Sequence, residues 1–120
     1  MASGAAIAIP WVALVGARPG KCLWINGQVH GNEVTGIVAA LRFAGRLDPA
    51  SLSGTVVVTS TGNPLGLDGR LHNVPQDNNN LDQSYPGRAG GFTAERLAAI
   101  VGGQVPFYRE MVALSGITLD

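Results

Sequence analysis

Residues 22–46 read CLWINGQVHGNEVTGIVAALRFAGR and predict a strand that leads through a tight turn into a helix. The run at residues 22–26 is short and apolar, as in a strand. From Val34 onward, apolar residues recur at a spacing close to that of a helix, and Asn32 stands where a helix cap is expected. A strand followed by a helix is the repeating unit of α/β folds.

Two further segments extend this pattern toward a sheet. Residues 11–15 form an earlier apolar run, and the Pro-Gly pair at residues 19–20 predicts a turn that joins it to residues 22–26 as a β-hairpin. Residues 55–60, TVVVTS, are apolar and β-branched. This composition predicts a strand that is covered on both faces, at the centre of the sheet.

The second half of the chain predicts a long loop and one more helix. Residues 61–91 are rich in Gly, Pro and Asn without a sustained period, which favours a functional loop. Thr93 opens a helix that we expect to break or kink at residues 102–106, and residues 116–120 resemble the start of another strand. The predicted fold is therefore α/β in the order ββαβαβ, a single domain over residues 1–120 with helices on a mostly parallel or mixed sheet.

Composition excludes several classes of protein. The 120 residues carry a formal net charge of zero, so no electrostatic attraction to nucleic acid or to an anionic membrane is expected. No run approaches the roughly 18 apolar residues that would cross a bilayer. The single cysteine, Cys22, excludes an intrachain disulfide. Since the apolar start also lacks a basic residue and is interrupted by Pro10, we expect a cytoplasmic protein.

The strand-to-helix turn carries an H-x-x-E pair, His30 and Glu33. Ligands of open α/β folds bind at the carboxyl ends of strands, and imidazole and carboxylate are both ordinary zinc ligands. Gly27 and Gly31 flank the pair and permit a sharp turn. The alternative interpretation of an isolated pair is a helix-capping Glu beside a solvated His.

The long loop holds a second group of candidates. Arg70 and His72 are side chains that could polarise a carbonyl or hold an oxyanion, and residues 82–85 include groups that could contact a substrate. From composition alone, a polar surface loop rich in Asn is the competing interpretation.

Three ordered motifs give these residues a context. GQVHGNEVTG at residues 27–36, NPLGLDGRLHNVP at residues 63–75 and NNNLDQSYPG at residues 78–87 together resemble the succinylglutamate desuccinylase/aspartoacylase family of zinc-carboxypeptidase-like hydrolases. That family shows H-G-N-E or H-G-D-E, then N-P, an Arg-containing loop and D-L-N-R-x-F-P-G. The resemblance covers about residues 14–87 and implies the N-terminal part of an α/β/α sandwich.

The resemblance implies a zinc cofactor bound by His30 and Glu33, two of three ligands. The family's third ligand is a His in a D-L-H segment, and Asp120 could be the Asp of that segment. The family's catalytic Glu lies further along. We therefore expect an incomplete domain, the N-terminal piece of a longer enzyme, with little turnover of its own. The family's carbonyl-polarising Arg falls on His72, with Arg70 two residues earlier, and both remain candidates.

The resemblance also implies a substrate-binding set, which is Asn63, Asn80, Asp82, Gln83 and Tyr85. Within it, Asp82 and Gln83 replace the Asn-Arg pair of D-L-N-R that binds a substrate carboxylate. A guanidinium grips a carboxylate bidentately, whereas an Asp side chain repels it and a Gln offers only a neutral amide. These two replacements therefore weaken the expectation of the family's usual acidic acyl-amino-acid substrate.

The sequence supports two hypotheses of different classes. The first is a zinc-dependent deacylase that cleaves an amide or ester bond of a small N-acylated substrate, as the resemblance implies. The second is a non-catalytic fragment or binding module that self-associates as a homo-oligomer through an open sheet edge. That edge is expected to expose apolar surface at residues 56–58 and 117–119.

Overall fold

The computed structural model describes residues 6–114, and side chains over residues 6–103. In chain order its elements are β1 (Trp11–Val15), β2 (Arg18–Asn26), α1 (Thr35–Ala44), β3 (Ser53–Thr59), α2 (Pro64–Gly69), a 3-10 turn (Asp82–Ser84) and α3 (Thr93–Leu114). This is a mixed α/β fold, as predicted. The strand expected at residues 116–120 lies outside the described residues.

The described sheet has the strand order β1-β3-β2. β3 is antiparallel to β1 and parallel to β2, which confirms its predicted place at the centre of the sheet. The predicted hairpin is wrong, because β3 inserts between β1 and β2. β2 starts at Arg18 and runs through the Pro-Gly pair that was expected to turn. Pro19 is tolerated there because an edge strand does not need every N–H for pairing.

The sheet is covered by helices on both faces. Val56 and Val58 of β3 pack in one cluster with Ala40 and Ala44 of α1. Trp24, whose register partner is Val57, packs instead on the second cluster, which includes four residues of α3. That second cluster consists of Val74, Leu81, Ala94, Leu97, Ala98 and Val101. The layers are therefore helix, sheet and helix, with β3 between two cores.

Burial corrects one expectation about the sheet. Residues 56–58 were predicted to expose apolar surface, but these three valines are between 0% and 5% exposed. The reason is that β3 is paired on both sides and packed on both faces. The other part of that expectation, residues 117–119, falls outside the described residues.

The first helix forms as predicted but begins differently. Its N-cap is Val34 rather than Asn32, and no side chain caps it. Asn32 lies within the preceding turn, which is closed by the Glu33 N–H donating to the His30 carbonyl at 3.0 Å. The helix buries its small residues against the sheet, while Val38 and Leu41 are 48% and 51% exposed.

The third helix is continuous over Thr93–Leu114, so the break expected at residues 102–106 does not occur. The part of its buried face that the structure describes includes Leu97, Ala98 and Val101, which pack in the core. Within the described residues, no helix combines the length and apolarity needed to cross a membrane.

We expect the Val57→Ala substitution to lower the free energy of unfolding by about 2 kcal/mol, because it leaves a cavity at a fully buried position. Urea denaturation measures the loss. The matched control is Val12→Ala on β1, where the side chain is 41% exposed and a change within about 0.5 kcal/mol is expected. Equal losses in both variants would contradict the central position of β3.

Candidate metal centre

The carboxyl ends of two parallel strands position the H-x-x-E turn. β2 and β3 end together, with Asn26 opposite Thr59 in the register. Beyond them, the Gly27 N–H donates to the Thr59 carbonyl and the Gly62 N–H donates to the Gln28 carbonyl, both at 2.8 Å. The segments that follow the two strands therefore leave the sheet side by side, at the edge where ligands bind in α/β folds.

A buried polar network fixes these two segments. The Gln28 side-chain amide donates to the His30 carbonyl at 2.8 Å, and the Thr61 hydroxyl donates to the Gln28 side-chain oxygen. The Asn63 amide donates to the Val29 carbonyl at 2.9 Å, while its oxygen accepts from the Gly66 N–H and caps α2. Asn63 is fully buried, so the structure gives it a positioning role, and its contact with a substrate stays a prediction.

Gly31 brings the turn against the end of α2. A Cβ atom at this position would lie 2.0 Å from the Gly66 carbonyl oxygen and 2.4 Å from that of Leu71. Only glycine allows such a close backbone approach. Because Leu71 directly precedes His72, this contact places the second histidine of the chain beside the first.

Three potential ligands converge at this point. His30 Nδ1 lies 3.1 Å from Glu33 Oε2, and the rings of His30 and His72 stack with centroids 3.8 Å apart and planes 15° from parallel. One ligand atom from each of the three residues lies within 4.8 Å of the other two. His30 is mostly buried, whereas Glu33 and His72 are exposed. The structure thus brings the two predicted ligands together and adds His72 to them.

Asn80 orients the His30 ring. Its side-chain oxygen accepts the Asp82 N–H at 2.9 Å and lies 3.0 Å from His30 Nε2. Since that oxygen can only accept, Nε2 must carry the proton and donate it. In the neutral imidazole, Nδ1 then presents its lone pair toward Glu33. Fixing a ligand tautomer through the distant ring nitrogen is how proteins prepare a histidine for a metal.

The other candidate for carbonyl polarisation lies at the same end of α2. Arg70 is the C-cap of that helix, in the left-handed conformation with φ 52°. It is exposed, and its guanidinium makes no hydrogen bond or ion pair with the part of the chain that the structure describes.

A cavity of about 630 Å³ is lined by Asn80, whose side chain also contacts His30, but by none of the three potential ligands themselves. The predicted substrate residues Gln83 and Tyr85 also line it, whereas Asp82 is exposed and is not part of its wall. The Tyr85 hydroxyl is buried without a partner among the described residues. Burial, aided by the negative charge of Asp82, raises the pKa of Tyr85 above its ordinary value.

Two residues of this cavity, Arg88 and Glu95, were not among the predicted site residues. Their side chains form an ion pair at 3.2 Å. The Phe92 N–H donates to Glu95 at 2.9 Å, and this hydrogen bond, followed by that from Arg88, holds the pKa of Glu95 below its ordinary value. Two features of the sequence could have indicated these residues. Arg88 directly follows Pro86-Gly87, and Glu95 lies in the first turn of a predicted helix.

Comparison with known proteins gives concordant matches. The family model for the succinylglutamate desuccinylase/aspartoacylase catalytic domain matches residues 19–106. An N-alpha-acetyl-L-2,4-diaminobutyric acid deacetylase of Halomonas elongata is 30% identical over 115 residues, which are 96% of this chain and 32% of that protein. The chain therefore spans about a third of the length of this curated relative.

Solved structures agree with these matches. An aspartoacylase family protein from Mesorhizobium loti superposes with a TM-score of 0.69 at 28% identity, covering 83% of this chain and 32% of that one. A succinylglutamate desuccinylase/aspartoacylase from Rhodobacter sphaeroides gives a TM-score of 0.67 at 27% identity, covering 79% and 29%. Both likenesses extend over most of the described residues.

We expect Gly31→Ala to destabilise the fold and to separate His30 from His72, because the added methyl group collides with backbone atoms that cannot rotate away. The free energy of unfolding should fall by about 2 kcal/mol or more, as in other overpacked sites. Gly90→Ala is the matched control, since a Cβ there meets nothing within 4 Å. If both variants unfold at the same urea concentration, the close approach at Gly31 is not a constraint.

Proposed function

Because this chain belongs to the succinylglutamate desuccinylase/aspartoacylase family, we propose that it forms the metal-binding part of a zinc-dependent deacylase. The proposed reaction cleaves an amide or ester bond of a small N-acylated substrate. The observation that carries this proposal is the pair formed by His30 Nδ1 and Glu33 Oε2 at 3.1 Å, with Asn80 holding the far side of the ring.

The donor set fits the proposed metal. Imidazole and carboxylate are the ligands of catalytic zinc in hydrolases, and the site lies at an exposed edge where an open position would remain for a substrate. When bound, zinc supplies a Lewis acid that activates water near neutral pH and polarises the scissile carbonyl. Of this chain's own residues, Asn80 orients His30, and in the proposed reaction Arg70 or His72 steadies the oxyanion.

The charges around the cavity at Asn80 favour a substrate whose end in this cavity carries no carboxylate. Its guanidinium, Arg88, is already paired with Glu95, and Gln83 in its wall is neutral. Asp82, close by in sequence, adds a negative charge. We therefore propose that the acylated substrate carries a neutral or amine-bearing end here. The Halomonas relative, whose name specifies an acetylated diamino acid, is consistent with that choice.

The proposal is tested by titrating zinc into the metal-free protein by calorimetry. We expect one zinc per chain, loss of binding in His30→Ala and weaker binding in Glu33→Gln. The matched control is Glu95→Gln, which makes the same change at a carboxylate outside the ligand cluster and should leave zinc affinity unchanged. Equal zinc affinity in the wild type and in His30→Ala would contradict the proposed site.

Catalysis is tested separately with the protein in excess over N-acetyl-L-2,4-diaminobutyrate. Acetate release, followed by NMR, is expected to be slow because no general base is assigned among the described residues, but it should require zinc and disappear in His30→Ala. Acetate release that is equal with and without zinc would overturn the deacylase proposal. No release in any sample would overturn it for these 120 residues.

A second candidate function, self-association as a binding module, is favoured by exposed apolar residues on the sheet edges. Among the described residues, β1 and β2 pair only with β3, and Val12 and Leu23 on these strands are 41% and 52% exposed. Open strands with apolar side chains tend to pair with another chain.

For this candidate we expect light scattering to give a dimer or larger mass that does not depend on zinc. Leu23→Lys should restore the monomer, because a charged side chain on an edge strand opposes pairing. Leu41→Lys, at an equally exposed position on α1, is the matched control and should leave the mass unchanged. A wild-type monomer at all concentrations would exclude self-association.

A further inference from the structure

We infer that His72 is a third protein ligand of the proposed metal, so that this segment holds a His-Glu-His site of its own. The inference rests on the proposed function, since it assumes a cation at His30 and Glu33. The inference goes beyond the proposed function because the family resemblance implies a different role at position 72, that of polarising the substrate carbonyl.

The distances support this assignment. With metal–nitrogen and metal–oxygen bonds of about 2.0 to 2.2 Å, the ligands of one tetrahedral zinc lie about 3.3 to 3.6 Å apart. The ligand atoms of His30, Glu33 and His72 lie within 4.8 Å of one another. Each separation therefore has to shrink by no more than about 1.5 Å, and the His72 ring has to turn out of its stack on His30 so that one of its nitrogens faces the cation.

His72 is the ligand that can make this movement. It is exposed, and its ring makes no hydrogen bond to the described residues. It follows the left-handed cap of α2, whose backbone is held by the Leu71 N–H donating to the Gly66 carbonyl at 2.9 Å. His30, in contrast, is already fixed by Asn80. Among the described side chains, His72 is contacted through its stack on His30 and through no hydrogen bond, so turning it toward a cation breaks no hydrogen bond of the fold.

The chemistry of the set also fits. Two imidazoles and one carboxylate form the ligand set of a known class of catalytic zinc hydrolases, which keeps a fourth position open. If His72 binds the metal, it is not available to polarise the carbonyl, and that role falls to Arg70. The inference thus assigns separate roles to the two candidates that the sequence leaves open.

The first test compares zinc affinity in His72→Gln and Arg96→Gln by calorimetry on the full chain. Loss of a ligand should weaken zinc binding by at least about tenfold, since even the loss of an outer hydrogen-bond partner costs 10–100-fold. The Arg96 variant is the matched control, because it introduces the same side chain at an exposed position of α3 that has no part in the site and should bind zinc as the wild type does. Equal affinity in both variants overturns the inference.

The second test gives a spectroscopic signature that a merely structural role would not produce. In His72→Cys loaded with Co²⁺, a thiolate-to-cobalt charge-transfer absorption is expected, because thiolate is a metal ligand and position 72 is exposed. The wild-type protein, whose one cysteine is Cys22, provides the background. Absence of the band in a variant that still binds Co²⁺ would also overturn the inference.

The outcomes separate this inference from the proposed function. If no variant and no wild-type protein binds zinc, both fail. If zinc binding is lost in His30→Ala and is unchanged in His72→Gln, the metal site stands and His72 is excluded from it.

Discussion

The candidate site depends on one contact between backbones, that of Gly31 with the end of α2. The space that a side chain would need at Gly31 is filled by the carbonyl oxygens of Gly66 and Leu71. Backbone atoms cannot rotate away as side chains do, so this contact fixes where the turn after β2 lies relative to the loop after β3. His30 and His72, 42 positions apart in the sequence, become neighbours because of it.

The polar network around this contact explains why the position is held. Gln28, Thr61 and Asn63 are buried polar residues, and each uses its side chain to bind another part of the same two segments. A buried polar group left without a partner costs about 1–3 kcal/mol. Displacing either segment would break several of these bonds together. The network therefore favours one arrangement of the turn, and with it one position of the His30 carbonyl.

Local patterns predicted the elements better than their pairing. The β-branched run of β3 and the helical spacing after Val34 are local signals, and both elements formed. The connection of only two residues between β1 and β2 favours a hairpin. The hairpin does not form because β3, from much later in the chain, lies between these two strands. No short-range pattern contains that information. The H-x-x-E pair was visible as a motif, whereas its proximity to His72 required the contact at Gly31.

The hydrogen bonding of His30 is the physical argument behind the proposed cation. Asn80 accepts the Nε2 proton, so a neutral His30 ring directs the lone pair of Nδ1 toward a carboxylate oxygen 3.1 Å away. A proton on Nδ1 forms an ion pair that satisfies His30 and Glu33, and the exposed His72 ring then bonds to water. A divalent cation is the alternative that would engage all three side chains at once, and it is the alternative that the proposed function requires.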